Sequence, residues 1–408
     1  MKLNANYWIK FSIVNLVIIA LLGVLMRYKI GFDFPYLTQK NILHAHSHFA
    51  FSGWITHSIY VLIIYFIINK ISSNYLKQYK IILITNLVCS YGMLISFFFT
   101  GYSFISISLS TLTIVNSCFL TYYLYKDFKK FEEYNPSIAW FKAAMWFNLI
   151  SSVGTFYLAY MMASRNFNEH WYLASVYFYL HFQYNGFFTF SCFGLMINKL
   201  PKFLPNYTYN KQIFTLFFSS CIFAYFLSVL WAEIPIWLYV IVLFAAIIQI
   251  IAWYLFIKGI INALKGNNYV PRFSKFIFSF VALAFTVKLL LQLGSTHPQL
   301  SKLAFGFRPV VIAYLHLVLL AVISIFLIGY FYTNELIHVT KNTTKAVYIF
   351  MVGVFLNELA LAIQGVASFS YLPIKHINEI LFIVSLILFL GSVMIVYSQR
   401  KTDTKLLQ

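Results

Sequence analysis

The sequence has few charged residues. Asp, Glu, Lys and Arg make up 10% of its 408 residues, whereas 61% of the residues are hydrophobic. A water-soluble protein cannot bury that much apolar surface, so a soluble globular domain is excluded. The apolar residues form stretches of about 20, the length at which an α-helix crosses the hydrocarbon core of a bilayer. We therefore predict an all-α, polytopic membrane protein whose surroundings are the lipid bilayer.

The sequence also lacks the spacings in which cysteine commonly acts. Its four cysteines are scattered through apolar stretches, and none forms a C-x-x-C pair. Zinc ribbons and a disulfide framework are therefore not expected, and the lack of C-x-x-C-H argues against covalently attached c-type haem. No small-residue cleavage site follows the first apolar stretch, roughly residues 7–26, so we expect a span there rather than a signal peptide.

Acidic residues are the scarcer charged class. The chain has 10 Asp and Glu residues against 29 Lys and Arg residues, which gives a net charge of +19. A basic excess of this size is one mark of nucleic-acid binding. Here, however, the lysines lie in short loops between apolar stretches, which is the pattern of a membrane-topology signal. We expect no nucleic-acid partner.

Twelve spans are predicted, within a single domain that covers residues 1–408. Neighbouring spans are nearly fused around Gly101 and again at Glu233–Pro235. The spans begin near these residues: Tyr7, Leu43, Ile81, Tyr102, Ile138, Trp171, Ile213, Ile234, Phe276, Pro309, Ala346 and Glu379.

The basic residues orient these spans. With this division, 19 Lys and Arg residues lie on the side of the N-terminus, 7 on the opposite side and 3 within spans. Positively charged loops remain in the cytoplasm, so both termini are predicted to be cytoplasmic and the protein to lie in the inner, cytoplasmic membrane.

Against this apolar background, three histidines stand out at the start of the second span. His44, His46 and His48 alternate in NILHAHSHFAFSGWI. Ionisable groups within a membrane span mark functional sites because burying them without a partner is costly. Successive residues turn about 100° around a helix, so His44 and His48 share one face and His46 points away from them. The three therefore cannot all bind one metal ion.

Two more histidines lie in the middle of spans. His181 is in WYLASVYFYLHFQYNGFFTF and His316 is in RPVVIAYLHLVLLAVISIF. A single buried histidine can simply form a hydrogen bond with a neighbouring carbonyl. Three spans that each carry histidine toward the membrane interior also fit haem coordination, because bis-histidine ligation needs facing imidazoles.

These histidine-bearing spans resemble subunit I of the haem–copper oxidase superfamily, including its nitric oxide reductase branch. Twelve spans with both termini inside is that family's topology. Its second span carries a low-spin haem ligand near the outer face, where this chain has A-H-S-H-F-A-F-S-G-W. The register of the apolar residues favours His46 as that ligand, followed by His48 and then His44. The family's tenth span carries H-x-H, and here His316 matches the second position while Tyr314 replaces the first.

The resemblance is incomplete at the family's second metal centre. Nitric oxide reductases have H-x-x-x-E-G in the sixth span, where this chain has His181 followed by Asn185 and Gly186. The histidine pair expected in the seventh span is missing. His181 and Tyr314 remain candidate metal ligands, but the incomplete ligand set does not support a second haem or a non-haem copper or iron ion.

Three further residues are candidates for proton transfer. Lys288 lies in the ninth predicted span, and the family uses an intramembrane lysine on a neighbouring span to deliver protons. Glu358 and Glu233 are candidates of the same kind. Each also has a structural interpretation. Lys288 would extend its amine toward an interface, and the glutamates would lie at an interface or form hydrogen bonds within the bundle.

The resemblance implies a respiratory membrane haem protein. His46 and His316 would bind one low-spin haem b, which carries electrons to or from a quinol or a cytochrome or other redox subunit. One alternative is an active terminal oxidase or nitric oxide reductase with an unconventional metal site, in which Tyr314 replaces the missing histidine. Another is a transporter, sensor or assembly factor without a cofactor, whose intramembrane histidine and lysine residues pass protons or metal ions.

Overall fold

The fold is helical throughout the part of the chain that the structure describes. The computed structural model describes residues 4–32, 34–232, 234–265, 270–369 and 371–400, apart from the side chains of 302–305. No strand occurs within these ranges. Ten helical segments in them are long and apolar enough to cross a membrane. The prediction of an all-α, multi-span membrane protein is therefore confirmed.

Sixteen α-helices occur in the described ranges. They are α1 Ala5–Gly31, α2 Gln39–Phe49, α3 His57–Lys70, α4 Leu76–Thr100, α5 Phe104–Phe128, α6 Pro136–Ser164, α7 Glu169–His181, α8 Thr189–Phe203, α9 Lys211–Phe223, α10 Ile236–Leu264, α11 Arg272–Gly294, α12 Pro298–Gly306, α13 Arg308–His316, α14 Ile325–Thr333, α15 Lys341–Phe369 and α16 Ile377–Ser398. Short π-helical segments join α2 to α3, α7 to α8 and α13 to α14, and a 3₁₀ segment, Ala224–Val229, follows α9.

Two long helical stretches fall outside the ten candidate spans. These are α6, with 29 residues, and the continuous stretch 169–203 that contains α7 and α8. Both coincide with predicted spans, so the count of twelve stays a prediction.

The chain divides into two compact units, Met1–Lys130 together with Ser324–Gln408, and Phe131–Ile323. In the first unit, α1 packs against α2, α3 and α16, while α4 packs against α2 and α5, and α15 packs against α16. In the second unit, α6 packs against α7 and α8, and α10 packs against α9 and α11. The single domain predicted for residues 1–408 stays a prediction.

A glycine corner separates α4 from α5, where the sequence left two spans nearly fused. Gly101 has a φ of +64°, a conformation that costs little only for glycine. A Cβ at this position would lie 2.7 Å from Oδ1 of Asn41 in α2. Ser103 then caps α5 and exchanges hydrogen bonds with Ser106 in a capping box. The corner therefore ends one helix and starts the next within three residues.

Buried amide side chains complete the backbone hydrogen bonding of the first π segment, Ala50–Thr56. Asn15 of α1 donates to the carbonyl of Gly53 at 2.6 Å, and Asn86 of α4 donates to that of Ser52 at 3.1 Å. The Asn15 carbonyl oxygen accepts from the Tyr91 hydroxyl at 2.6 Å. A π segment interrupts the regular i to i+4 pattern, and lipid offers no alternative donor, so these amides stabilise the irregular turn.

This network predicts that Asn15→Ala destabilises the protein. The substitution leaves the Gly53 carbonyl and the Tyr91 hydroxyl without this partner in a buried setting, which costs about 1–3 kcal/mol. Ser12→Ala is the matched control, because Ser12 is buried on the same helix and its Oγ has no hydrogen-bond partner among the described residues. Thermal unfolding in detergent should show a lower Tm for Asn15→Ala alone. Equal Tm values for the two variants would contradict the role of Asn15.

Candidate functional site

The three histidines of α2 lie on two faces of the helix, as helical geometry predicts. His46 faces α1, where its Nδ1 lies 3.2 Å from the carbonyl oxygen of Ile19. A Cβ at Gly23 of α1 would lie 3.8 Å from the His46 ring. A carbonyl oxygen only accepts hydrogen bonds, so Nδ1 carries the proton. In the neutral ring, Nε2 then carries the lone pair that can bind a metal.

The other face of α2 carries an aromatic cluster. His48 stacks on Phe97 of α4 with ring centroids 4.2 Å apart and an angle of 16° between the planes. Its Nε2 lies 3.3 Å from the hydroxyl of Tyr102. The His44 ring packs edge-on against Tyr102 at 4.7 Å. We call His44, His48, Phe97 and Tyr102 the aromatic face of α2.

His316 ends α13 in the second unit. Its Nδ1 lies 2.9 Å from the carbonyl oxygen of Ile312, one turn earlier on the same helix. Nδ1 is therefore the donor, and His316 adopts the same tautomer as His46. Both rings are partly exposed. Each of the two histidines thus has the protonation pattern of a metal-binding imidazole, in which one ring nitrogen donates to a backbone carbonyl and the other holds a lone pair.

The π-helical segments lie directly after the histidines that the sequence singled out. Ala50–Thr56 begins two residues after His48, Phe182–Phe188 begins immediately after His181, and Leu317–Ser324 begins immediately after His316. These three segments are all the π-helix found in the described ranges. Because π-helical turns are rare and occur mainly at functional sites, the same three spans are marked by backbone geometry as well as by residue type.

His181 is fully buried, and hydrogen bonds engage both of its ring nitrogens. Nε2 lies 2.9 Å from the carbonyl oxygen of Cys221, and Nδ1 lies 3.1 Å from the side-chain nitrogen of Asn185. One neutral tautomer satisfies both contacts, with Nε2–H donating and Nδ1 accepting. This arrangement favours a structural histidine over a metal ligand. Ligation by His181 stays a prediction, as does ligation by Tyr314, whose ring packs against that of Tyr184 at 6.2 Å.

The second π segment packs tightly on α6. Gly186 has no side chain, and a Cβ there would lie 2.5 Å from the Cβ of Phe147. Gln183 donates to Asn148 at 2.9 Å and to Ser151 at 2.7 Å, both on α6. The residues that follow His181 therefore serve helix packing and internal hydrogen bonding.

The candidate proton-transfer residues lie in different units. Lys288 in α11 is only 3% exposed, and its amine lies 5.1 Å from the ring centroid of Phe285. That burial does not fit a lysine that extends to an interface. Glu358 belongs to the first unit.

Glu358 is partly exposed and accepts a hydrogen bond from the side chain of Asn357 at 3.2 Å. Glu233 lies outside the described residues. The roles of Lys288 and Glu358 in a proton path stay predictions.

Within the described ranges, no three His, Cys, Asp or Glu side chains come together as a metal site. Comparison with protein-family models and with curated protein sequences gives no match. The individual side chains and the backbone around them are therefore the features that bear on function.

Several participants were not identified from the sequence. Cys221 is one of four scattered cysteines in the sequence, yet its Sγ lies 4.0 Å from Nε2 of His181. Tyr102 marks the start of a predicted span, yet it contacts two histidines. Its position directly after Gly101 is the available signal, because a glycine between two apolar stretches indicates a turn that can bring the next residue close to another helix.

The hydrogen bonds of His181 predict the effect of His181→Ala. The variant leaves the side chain of Asn185 unpaired in a buried setting and should lower the free energy of unfolding by about 1–3 kcal/mol. The iron and copper content of purified protein should not change. His170→Ala, which alters an exposed histidine, is the control. Specific loss of a bound metal from His181→Ala, measured by elemental analysis, would identify His181 as a ligand instead.

Proposed function

We propose that the protein is a membrane haem protein that binds a low-spin haem b for electron transfer. His46 and His316 are the proposed axial ligands, as the resemblance to haem–copper oxidase subunit I implies. When bound, the haem supplies reversible one-electron chemistry, and a quinol or a partner redox subunit in the cytoplasmic membrane is the proposed electron donor or acceptor. The absence of C-x-x-C-H is consistent with non-covalent attachment.

The observation that supports this proposal most directly is the tautomer shared by His46 and His316. Each ring donates from Nδ1 to a backbone carbonyl oxygen, at 3.2 Å for His46 and 2.9 Å for His316. A hydrogen bond from Nδ1 orients an imidazole that binds a metal through Nε2, and it raises the electron density at Nε2. The residues present therefore fit axial ligation of iron when each ring is considered by itself.

The other two histidines of α2 are weaker candidates for the axial ligand than His46. The Nε2 of His48 lies within hydrogen-bond distance of the Tyr102 hydroxyl, and its ring is stacked on Phe97. His44 shares that face through its contact with Tyr102. Iron ligation by His48 would require that hydrogen bond to break, whereas ligation by His46 preserves its contact with Ile19.

Electron transfer is better supported than reduction of oxygen or nitric oxide. The family's non-haem metal centre needs several imidazoles, and the corresponding His181 already forms two hydrogen bonds. The remaining chemistry of the chain is then to hold the haem in an apolar setting, to fix the orientation of the two imidazoles and to exclude water from the iron.

The proposal predicts a bis-histidine haem spectrum that depends on two residues. Protein purified from haem-replete cells should contain one haem b per chain by pyridine haemochrome analysis and should give a low-spin reduced-minus-oxidised spectrum. His46→Ala and His316→Ala should each lose the low-spin signal. His48→Ala should keep it, because His48 lies on the other face of α2.

Two results would overturn this assignment. Wild-type protein without a Soret band, prepared under those conditions, would reject the haem. Loss of the low-spin signal in His48→Ala, with retention in His46→Ala, would move the axial ligand to His48. Helical content and elution volume of each variant serve as the folding control.

We also propose twelve spans with cytoplasmic termini. This topology makes α6 and the stretch 169–203 full spans, so the loop between them would face outward. If they do not span, that loop would face the cytoplasm, although the termini would keep their side.

The twelve-span topology predicts that Asn166→Cys, in this loop, is labelled in intact cells by a membrane-impermeant maleimide. Protein with its native cysteines is the control, and labelling only after cell lysis would contradict the twelve-span topology.

A further inference from the structure

The aromatic face of α2 brings two imidazoles and a phenol together. We propose that His44 and His48, together with Tyr102, bind a divalent transition-metal ion, Zn²⁺ or Cu²⁺. The haem proposal uses His46 and does not require these three side chains. The two proposals can therefore fail separately.

The spacing of the two histidines suits a shared metal ion. They are four residues apart on one helix, so their side chains lie on the same face. Their ring centroids are 6.5 Å apart and the ring planes are inclined by 57°. Two imidazoles bound to one ion through N–metal distances of about 2.0–2.1 Å have centroids roughly 5 to 6.5 Å apart, depending on the angle at the metal. A modest side-chain rotation would bring both rings onto one ion.

The donor atoms also point to a ligand. The Nε2 of His44 is buried and has no hydrogen-bond partner among the described residues. A buried nitrogen without a partner is unfavourable, and a bound ion would satisfy it. On the neighbouring ring, Nε2 of His48 lies 3.3 Å from the Tyr102 hydroxyl. That nitrogen is thus directed toward the third donor, and a bound ion would replace this hydrogen bond with a contact to each of the two groups.

The surroundings hold these donors in position. Phe97 is fully buried and stacks on His48, which restricts rotation of that imidazole. Gly101, with its positive φ, places Tyr102 at the corner between α4 and α5. Tyr102 then contacts His44 edge-on at 4.7 Å. A site whose ligands are already supported by packing loses little conformational freedom when it binds an ion.

The chemistry of the donors selects the metal class. Two imidazoles and a phenol, which releases its proton to solvent when it binds a metal ion, offer two nitrogen ligands and one oxygen ligand. Ca²⁺ and Mg²⁺ need several carboxylate or carbonyl oxygens. Imidazole ligands instead suit Zn²⁺ and Cu²⁺, which form strong bonds to nitrogen.

The test is metal titration of full-length, tag-free protein purified from haem-replete cells. Calorimetry with Zn²⁺ should show one saturable site, and His44→Gln and His48→Gln should each weaken binding at least about tenfold. Tyr102→Phe should weaken it less. His338→Gln is the matched control, because His338 is an exposed histidine elsewhere in the same unit and should leave Zn²⁺ affinity unchanged. With Cu²⁺, electron paramagnetic resonance should show hyperfine coupling to two imidazole nitrogens, and to one in each His→Gln variant.

Three outcomes would overturn the metal site. The first is the absence of saturable Zn²⁺ binding by wild-type protein, and the second is wild-type affinity in both His→Gln variants. The third is loss of haem from His48→Gln, because His48 would then be an axial ligand. Haem content is measured on every sample. If all samples lack haem while Zn²⁺ binding follows the expected order, the haem proposal fails and the metal site stands.

Discussion

The structure depends on one constraint, which is that lipid cannot form hydrogen bonds with a polar group. A buried amide, hydroxyl or imidazole inside a span is therefore stabilised when it finds a partner within the protein or in a bound ligand. Asn15 and Asn86 meet this requirement by bonding to backbone carbonyls of the first π segment. His181 meets it through Asn185 and Cys221. These partners hold irregular backbone in place at membrane depth.

The same constraint makes the remaining histidines informative. His46 and His316 each bond to a carbonyl through Nδ1, which leaves a lone pair on Nε2. His44 has a buried Nε2 without a partner in the described part of the chain. At His181 the tautomer is reversed, because Nε2 donates to Cys221 and Nδ1 accepts from Asn185. The tautomer therefore distinguishes His181 from His46 and His316.

The π segments connect this chemistry to the backbone. A π turn inserts a residue into the helix and so changes the direction of the side chains that follow. Because each segment starts within two residues of a singled-out histidine, the helix after the histidine is rotated relative to the helix before it. In the first segment, this rotation accompanies the burial of Trp54, whose indole donates to Ser324 at 2.8 Å.

Composition and span length predicted the helical membrane fold, because apolar stretches of about 20 residues have few other solutions. Helical periodicity also predicted that His44 and His48 would share a face and that His46 would not. The π segments were not predictable from periodicity, since apolar residues continue through them without interruption. The contacts of Tyr102 and Cys221 were missed for another reason. They depend on how separate helices pack, and residue spacing within one span carries no such information.

The axial ligands of the oxidised iron report directly on the proposed low-spin haem and its two imidazoles. Near-infrared magnetic circular dichroism of the oxidised, haem-replete protein distinguishes bis-histidine ligation from other axial pairs. We predict the bis-imidazole signature in wild-type protein and its loss in His46→Met. A high-spin or histidine–tyrosinate signature in the wild-type protein would contradict bis-histidine ligation. A bis-imidazole signature that persists in His46→Met would contradict the assignment of His46 as a ligand.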